Sequence, residues 1–414
     1  MNTNIINKVI LILGLFLCLN ARAGNSLDIH ERLDSIVASA NMLKTSQMGL
    51  LVYDLAADTI IYARDEHQTL RPASTMKLVT AITALDRLGT EYEYRTSLRY
   101  RGEIADSTLV GDIFLIGGMD PKISRDDLLT MAMGIKEMGI DTIRGNLITD
   151  RSMKDADLYG EGWCWDDDNA MLSPLVYKRK DDMAKHFLSA LQESGVAFSG
   201  NTLNGTCPKD AKAVTDITRP MTDVLTPMMK HSNNLYAESM YYQIALTQGK
   251  PATARKAKDI EEKMLRRIGR GDAIHRFADG SGLSLYNYLS ADILVAFLRY
   301  AWQHEDIFRP LYDALPIAAV DGTIKDRMTN SPAANNVHAK TGTLSGISSL
   351  AGYCTLPDGR LAAFAIINQG VMKAVYAKRL QDRICIALCS PDDNDDDNDD
   401  EKPNPDDNPN DINE

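Results

Sequence analysis

The chain has 414 residues and a formal net charge of −12 at pH 7, but this charge is distributed unevenly. Residues 392–414 hold ten Asp, two Glu and one Lys, and residues 1–23 hold one Lys and one Arg, so the body between them carries only −3. A body with so little net charge excludes the basic footprint that nucleic-acid binding requires. Its length exceeds the usual size of one domain, so we expect more than one.

The first 23 residues predict a secretory signal peptide. Lys8 precedes an apolar run over residues 9–19, and Ala21-Arg22-Ala23 is typical of a cleavage site. The run is too short to span a bilayer, and bulky residues before Cys18 make a lipid anchor the weaker alternative. We therefore expect an exported protein without a membrane anchor, located in the periplasm where an outer membrane exists.

The other end of the chain predicts a disordered acidic tail over residues 391–414. It is rich in Asp, Asn and Pro and has almost no apolar residue with which to build a core. It also lacks the Gly of an EF-hand loop, which argues against a calcium site. No His-Glu-x-x-His motif or Cys/His cluster stands out, so we expect no metal and no cofactor.

The region after the leader begins with strand patterns and a helix. Residues 49–53 and 59–62 predict paired strands, and Pro72 suits the first turn of the helix that follows. Gly89 closes that helix. Apolar residues recur along it at helical spacing, namely Met76, Val79, Ile82 and Leu85.

Residues 96–176 predict a smaller inserted α/β domain. They contain strand patterns at 109–116 and 142–148 and a helical pattern at 128–138. The helical pattern at 181–191 is assigned to the surrounding domain, which we expect to be discontinuous. We assign that domain residues 24–95 and 177–390.

The last part of the body predicts two strands, 348–356 and 361–368, joined by a turn at Pro357-Asp358-Gly359. A helix over residues 374–389 follows. Strands at both ends with helices between them indicate an α/β (α+β) fold, in which a central antiparallel sheet is flanked by helices.

Three short motifs in one order indicate the chemistry. They are Ser74-Thr75-Met76-Lys77, Ser232-Asn233-Asn234 and Lys340-Thr341-Gly342. Ser-x-Asn also occurs at 39–41 and 199–201, but only the copy at Ser232 opens a segment with apolar residues at helical spacing. Serine enzymes that acylate on D-alanyl peptides or on β-lactams use this set of motifs.

The residue types suit nucleophilic catalysis. Lys77 lies one helical turn after Ser74 and can activate its hydroxyl if the amine is neutral. The helix dipole, burial and a second cation, Lys340, would each lower the pKa of Lys77. Ser232 can relay a proton to the leaving amine or serve as a helix N-cap, and Asn234 can orient Lys77 and bind the substrate backbone.

The strand motif predicts the part of the site that binds substrate. Lys340, Thr341 and Thr343, with Gly342 between the two threonines, would hold the free carboxylate of a C-terminal D-residue through charge-assisted hydrogen bonds. Backbone N–H groups of Ser74 and Thr343 would form an oxyanion hole.

These residues resemble the penicillin-binding protein 4 type of D-alanyl-D-alanine carboxypeptidase/endopeptidase. The likeness extends over almost the whole body. Beyond the three motifs it includes Arg71-Pro72-Ala73, Gly118-Met119-Asp120-Pro121, Gly162-Trp163-Cys164-Trp165-Asp166-Asp167, Asp279-Gly280-Ser281-Gly282-Leu283-Ser284 and residues 346–353.

The resemblance implies a penicillin-recognising fold, peptidoglycan stem peptides as substrate and inhibition by β-lactams. It also implies that Trp163, Trp165 and Asp166 are candidate substrate contacts. The alternative is structural, because two tryptophans this close often anchor a domain core. The longest relatives carry two inserted domains, whereas residues 96–176 have room for one.

The leading hypothesis is a serine D,D-peptidase that trims a terminal D-alanine, cuts D,D cross-links, or does both. Both cuts fall on the carbonyl side of a D-residue, so the motifs do not separate them. A serine β-lactamase is the first alternative, weakened because no Glu stands in a recognisable deacylation loop. A non-catalytic peptidoglycan-binding protein is the second.

Overall fold

The computed structural model of the chain describes residues 28–164, 166 and 169–391. The predicted signal peptide, the acidic tail from residue 392 onward and Trp165 lie outside the described residues. Two sheets organise the described part, one built from the two ends of the body and one from its middle.

The first sheet has five antiparallel strands in the order β10-β11-β12-β1-β2. The four strands predicted for this sheet are confirmed, and β10, which carries the Lys-Thr-Gly motif, is an edge strand. The five strands are β1 (Gln47–Asp54), β2 (Thr59–Arg64), β10 (His338–Leu344), β11 (Ile347–Thr355) and β12 (Leu361–Gln369).

Both faces of this sheet are buried, because side chains alternate between two hydrophobic cores. In β1, Leu51 and Tyr53 point to one core and Leu50 and Val52 to the other. The first core is covered by α2 (Met76–Leu88), α5 (Met221–Lys230), α6 (Asn234–Leu246), α7 (Ala254–Arg267), α8 (Ala291–Trp302) and α9 (Glu305–Ala314). The second core is covered by α1 (Ile29–Ser39) and α10 (Ala374–Cys389).

The second sheet has seven strands and mixed pairing. Its long strands pair antiparallel, whereas β5 and β6 pair in parallel with β4, and β7 and β8 pair in parallel with β5 and β6. The strands are β3 (Glu93–Ala105), β4 (Thr108–Ile116), β5 (Thr142–Arg144), β6 (Leu147–Asp150), β7 (Ala197–Ser199), β8 (Thr202–Asn204) and β9 (Lys212–Pro220). The strand predicted at 142–148 is divided at Gly145, where a Cβ would lie 2.0 Å from the carbonyl oxygen of Gly111.

The inserted unit extends further than the sequence analysis expected. Residue 176 was its predicted end, but β9 pairs with β3 over residues 212–220. The helix assigned to the surrounding domain, α4 (Met183–Glu193), packs on α3 (Arg125–Glu137) through Phe187 and Leu191 in the core of the second sheet. The assignment was wrong because an amphipathic pattern shows which helix face is apolar, not which sheet receives that face.

The motif Gly118-Met119-Asp120-Pro121 forms the contact between the second sheet and α6. The side-chain amide of Gln243 donates to the Gly118 carbonyl at 2.7 Å, and Ser239 donates to the Met119 carbonyl. Both donors lie on α6, the helix that begins with Asn234. The motif therefore braces a helix that carries a candidate site residue. Among the described residues, no helix combines the length and apolar character needed to cross a membrane.

Candidate active site

Ser74 lies in a 3-10 turn over Ala73–Thr75 that leads directly into α2. The helix predicted from Pro72 therefore begins with this tighter turn. The carbonyl oxygen of Pro72 accepts hydrogen bonds from the Thr75 hydroxyl at 2.7 Å and from the Ser349 hydroxyl at 2.6 Å. Because Ser349 belongs to β11, these bonds tie the turn that carries Ser74 to the central sheet.

Residues 279–284, called here the 279–284 loop, pack against the turn that carries Ser74. Gly282 has φ of +78°, and a Cβ built on it would lie 1.9 Å from the Ala73 carbonyl oxygen. Ala73 itself has a left-handed φ of 48°. The position of Ser74 thus depends on a close backbone contact that only glycine permits.

Lys77 lies at the centre of the site and is fully buried. Its Nζ donates to Ser74 Oγ at 2.9 Å, to Asn234 Oδ1 at 2.7 Å and to the Ser281 carbonyl at 2.7 Å. These three acceptors match the three N–H bonds of an ammonium. A neutral amine in the same place has two N–H donors and one lone pair. Of the three neighbouring groups, only the Ser74 hydroxyl carries a proton that this lone pair can accept.

Burial also controls the charge of the two lysines. Desolvation lowers the pKa of Lys77 to about 7, although the carboxylates of Asp279 and Glu238 act in the opposite direction. Burial and then the charge of Lys77 hold the pKa of Lys340 well below its ordinary value. Burial is therefore the main reason that Lys77 can be neutral near pH 7, and protonation of one lysine disfavours protonation of the other.

The rate of acylation should follow the titration of Lys77. The base must be neutral, so we expect the second-order rate constant for acylation by a penicillin to rise with pH through about 7 and then level off. The measurement is that rate constant between pH 5 and 9, with circular dichroism to verify that the fold persists. A rate constant that stays flat or falls across this range would contradict Lys77 as the base.

The Ser-x-Asn segment brings a second hydroxyl into the site. Lys340 Nζ donates to Ser232 Oγ at 2.8 Å, and Ser232 has a left-handed φ of 56°. The interpretation of Ser232 as a helix N-cap is wrong. Asn233 caps α6, and its side chain accepts from the backbone N–H of Tyr236. Ser232 is thus outside the helix and faces Lys340.

The Lys-Thr-Gly strand approaches the turn that carries Ser74. Lys340 is fully buried and also donates to the Thr341 carbonyl at 2.7 Å. A Cβ on Gly342 would lie 2.7 Å from the Pro72 carbonyl oxygen and 2.9 Å from the Ser74 nitrogen. Glycine is therefore required where β10 meets this turn. Thr343 follows as an exposed residue of the edge strand.

The tryptophan motif contributes to the wall of the site. Trp163 is half-buried, and its Nε1 donates to Asp279 Oδ2 at 2.8 Å. Asp279 also accepts from the backbone N–H of Gly282 at 2.7 Å, so Trp163 helps to hold the 279–284 loop. This contact agrees with the structural alternative for Trp163. Asp166 is exposed, and Trp165 lies outside the described residues.

Buried carboxyl groups behind Lys77 were missed by the sequence analysis. Glu238 accepts from the Ser281 N–H at 2.8 Å, and burial raises the pKa of Glu238 to about 8. Glu261 accepts from the Thr80 hydroxyl at 3.2 Å, and burial raises its pKa well above the ordinary value. Glu238 follows Asn234 by one helical turn, which was the available signal. In the part of the chain that the structure describes, no group of three or more His, Cys, Asp or Glu could hold a metal ion.

A serine bonded to a buried lysine, a second serine–lysine pair and an edge strand beside the nucleophile define a serine penicillin-recognising enzyme. The chain belongs to the D-Ala-D-Ala carboxypeptidase 3 (S13) family, whose model matches residues 29–177 and 171–387.

Individual relatives agree with this assignment. The chain is 28% identical to a D-alanyl-D-alanine carboxypeptidase of Actinomadura sp., over 83% of this chain and 81% of that protein. It is 26% identical to the D-alanyl-D-alanine carboxypeptidase DacB of Haemophilus influenzae, over 78% of this chain and 86% of that protein. The crystal structure of penicillin binding protein 4 from the same organism has the same fold, with a TM-score of 0.79 at 23% identity, covering 85% of this chain and 97% of that one.

Proposed function

We propose that the protein hydrolyses D-alanyl-D-alanine bonds of peptidoglycan stem peptides through an acyl-enzyme on Ser74. The observation that carries the proposal is the 2.9 Å hydrogen bond between Lys77 Nζ and Ser74 Oγ, made by a lysine that burial brings to a pKa of about 7. A serine needs such a base to become a useful nucleophile.

Acylation proceeds in two proton transfers. Neutral Lys77 accepts the Ser74 proton as Oγ attacks the carbonyl carbon of the penultimate D-alanine. Backbone N–H groups of Ser74 and Thr343 stabilise the resulting oxyanion, a contribution of about 3 kcal/mol for one donor in comparable enzymes. Ser232, bonded to Lys340 at 2.8 Å, then passes a proton to the leaving amine and is reprotonated from the proton that Lys77 took, so that Lys77 is neutral again and the Ser74 proton is accounted for on D-alanine. D-alanine departs, and water hydrolyses the ester on Ser74.

Recognition of the chain end rests on the edge strand. An extended peptide can pair with the end of β10 from Thr341 onward, because the described sheet has no further strand on that side and residues 316–318 bridge only the start of β10. Lys340, Thr341 and Thr343 would bind the terminal carboxylate, and Gly342 lets the strand lie against Ser74. Asn234 Oδ1 accepts from Lys77, so the amide nitrogen is left to donate to a substrate carbonyl.

The 163–166 segment is proposed to contact the stem peptide side chain. Exposed Asp166 would attract a basic group there, and Trp163 and Trp165 would supply apolar surface. Trp163 would contact the stem peptide through the exposed part of its ring while its indole N–H keeps the hydrogen bond to Asp279.

β-Lactams are proposed as inhibitors that acylate Ser74. The penicillin binding protein 4 of Haemophilus influenzae, 24% identical over 87% of this chain, has been crystallised in complex with a β-lactam. The predicted signal peptide over residues 1–23 would direct export of the protein, and the protein would be located in the periplasm.

The direct test is hydrolysis of two synthetic substrates by the purified protein. We expect release of D-alanine from a stem peptide ending in D-Ala-D-Ala, conversion of a D,D-cross-linked dimer to monomers, or both. Binding without release of product from either substrate would contradict the proposal and favour the non-catalytic alternative. Rapid, repeated destruction of penicillin without peptide hydrolysis would instead identify a β-lactamase.

A further inference from the structure

Residues 321–323, called here the 321–323 loop, connect two of the three motifs. Lys230 Nζ donates to Asp321 Oδ1 at 2.8 Å and Oδ2 at 2.6 Å, and also to the Leu315 carbonyl at 2.6 Å. Asp321 Oδ1 accepts in addition from the Ile317 N–H at 2.9 Å. The carboxylate thus holds its own loop and the end of α5, two residues before Ser232.

The backbone of the loop lies against the same segment. Gly322 has φ of +60°, and a Cβ there would lie 2.9 Å from the Lys230 carbonyl oxygen. Any other residue would push the loop away from the chain that leads to Ser232. The next residue but one, Ile324, is fully buried, so the loop is anchored on both sides of Thr323.

Thr323 is the exposed residue of the loop, and its hydroxyl lies 2.8 Å from the hydroxyl of Thr341. Lys340 Nζ, next along β10, bonds to both the Thr341 carbonyl and Ser232 Oγ. The contacts therefore close a ring through the Ser232 segment, the 321–323 loop and the strand. Thr323 therefore lies beside Thr341, whose hydroxyl is proposed to bind the substrate carboxylate.

We propose that Thr323 is an additional ligand for the carboxylate of the substrate, a role that rests on the proposed function. When two hydroxyls share one hydrogen bond, the acceptor keeps its own proton for another partner. Thr341 Oγ1 donates to Thr323 Oγ1, so the one free hydroxyl proton of the pair lies on Thr323. Thr323 can therefore donate to the carboxylate without breaking its bond to Thr341. Asp321 is a positioning residue, because its carboxylate accepts hydrogen bonds from Lys230 and the Ile317 N–H and so holds the loop in place.

The experiment compares a penicillin with its methyl ester, because only the free acid presents a carboxylate. Thr323→Val keeps the branched shape and removes the hydroxyl, and Thr323→Ser retains the hydroxyl as the matched control. We expect Thr323→Val to lower the acylation rate constant for the free acid by about 10- to 100-fold and that for the ester by less than about threefold. Thr323→Ser should stay within about threefold of wild type for both.

A second comparison separates direct binding from mere support of Thr341. In a Thr341→Val background, Thr323→Val should lower the preference for the free acid by a further factor of at least about three. No further effect in that background would overturn the proposal, as would equal losses for acid and ester or no loss for either. If the protein hydrolyses no D-alanyl peptide, the proposed function fails while the penicillin comparison still tests Thr323. If neither penicillin form acylates the wild type, both proposals fail.

Discussion

Replacing Lys77 with methionine is expected to lower the rate constant for acylation at least about a hundredfold. The substitution removes the only base bonded to Ser74 Oγ among the described residues, and a positioned base contributes about 10²- to 10⁴-fold. Methionine has similar length and tolerates burial, so the cavity that Lys77 fills remains occupied. The measurement is the second-order rate constant from intact-mass spectra collected over time after penicillin addition.

The control for this variant is Lys185→Met, which changes an exposed lysine on α4, a helix of the inserted unit. It should acylate at the wild-type rate. Thermal unfolding of both variants shows whether each is folded at the assay temperature. A folded Lys77→Met protein that acylates within tenfold of wild type would mean that another group takes the Ser74 proton, which contradicts the assignment of Lys77.

Replacing Gly282 with alanine is expected to destabilise the protein by more than about 4 kcal/mol or to slow acylation by about 100-fold or more. The added Cβ would lie 1.9 Å from the Ala73 carbonyl oxygen and 2.9 Å from Met76 Cβ, so backbone must move on one side or the other. Movement of the turn displaces Ser74, and a displacement of about 1 Å costs about 100-fold in rate. Chemical denaturation and penicillin acylation measure the two effects.

Gly359→Ala is the matched control for the conformational part of that effect. Gly359 has φ of +87°, close to that of Gly282, but no atom lies within 4 Å of its added Cβ. This variant should lose about 1 kcal/mol from backbone strain alone and should acylate normally. Equal losses for the two variants would show that the contact with Ala73 has no role in holding Ser74.

The features predicted correctly depend mainly on local pattern. Helix α2 follows from apolar residues at helical spacing and ends at Gly89, whose φ is 80°. Helix α10 occupies residues 374–389 as predicted. The strands β11 and β12 follow from apolar runs on either side of a Pro-Asp-Gly turn. In these elements, neighbouring residues carry enough information to specify the structure.

The features that were missed depend on contacts between distant parts of the chain. The predicted end of the inserted unit was too early because β9 pairs with β3 across more than 100 residues. The sequence of β9 does not indicate which strand it pairs with. The carboxyl groups of Glu238 and Glu261 look like ordinary helix surface until the helices pack together. Motif order predicted the contact between Lys340 and Ser232, whereas nothing in the motifs indicated Thr323.

The central claim is that Ser74 forms the acyl-enzyme, and intact-mass analysis after brief penicillin exposure tests it most directly. Wild-type protein and Ser74→Ala are treated side by side, and the penicillin that remains is measured in the same samples. We predict a long-lived adduct on the wild type and none on Ser74→Ala. An adduct of equal extent on Ser74→Ala, or no adduct and no loss of penicillin with the wild type, would contradict the account.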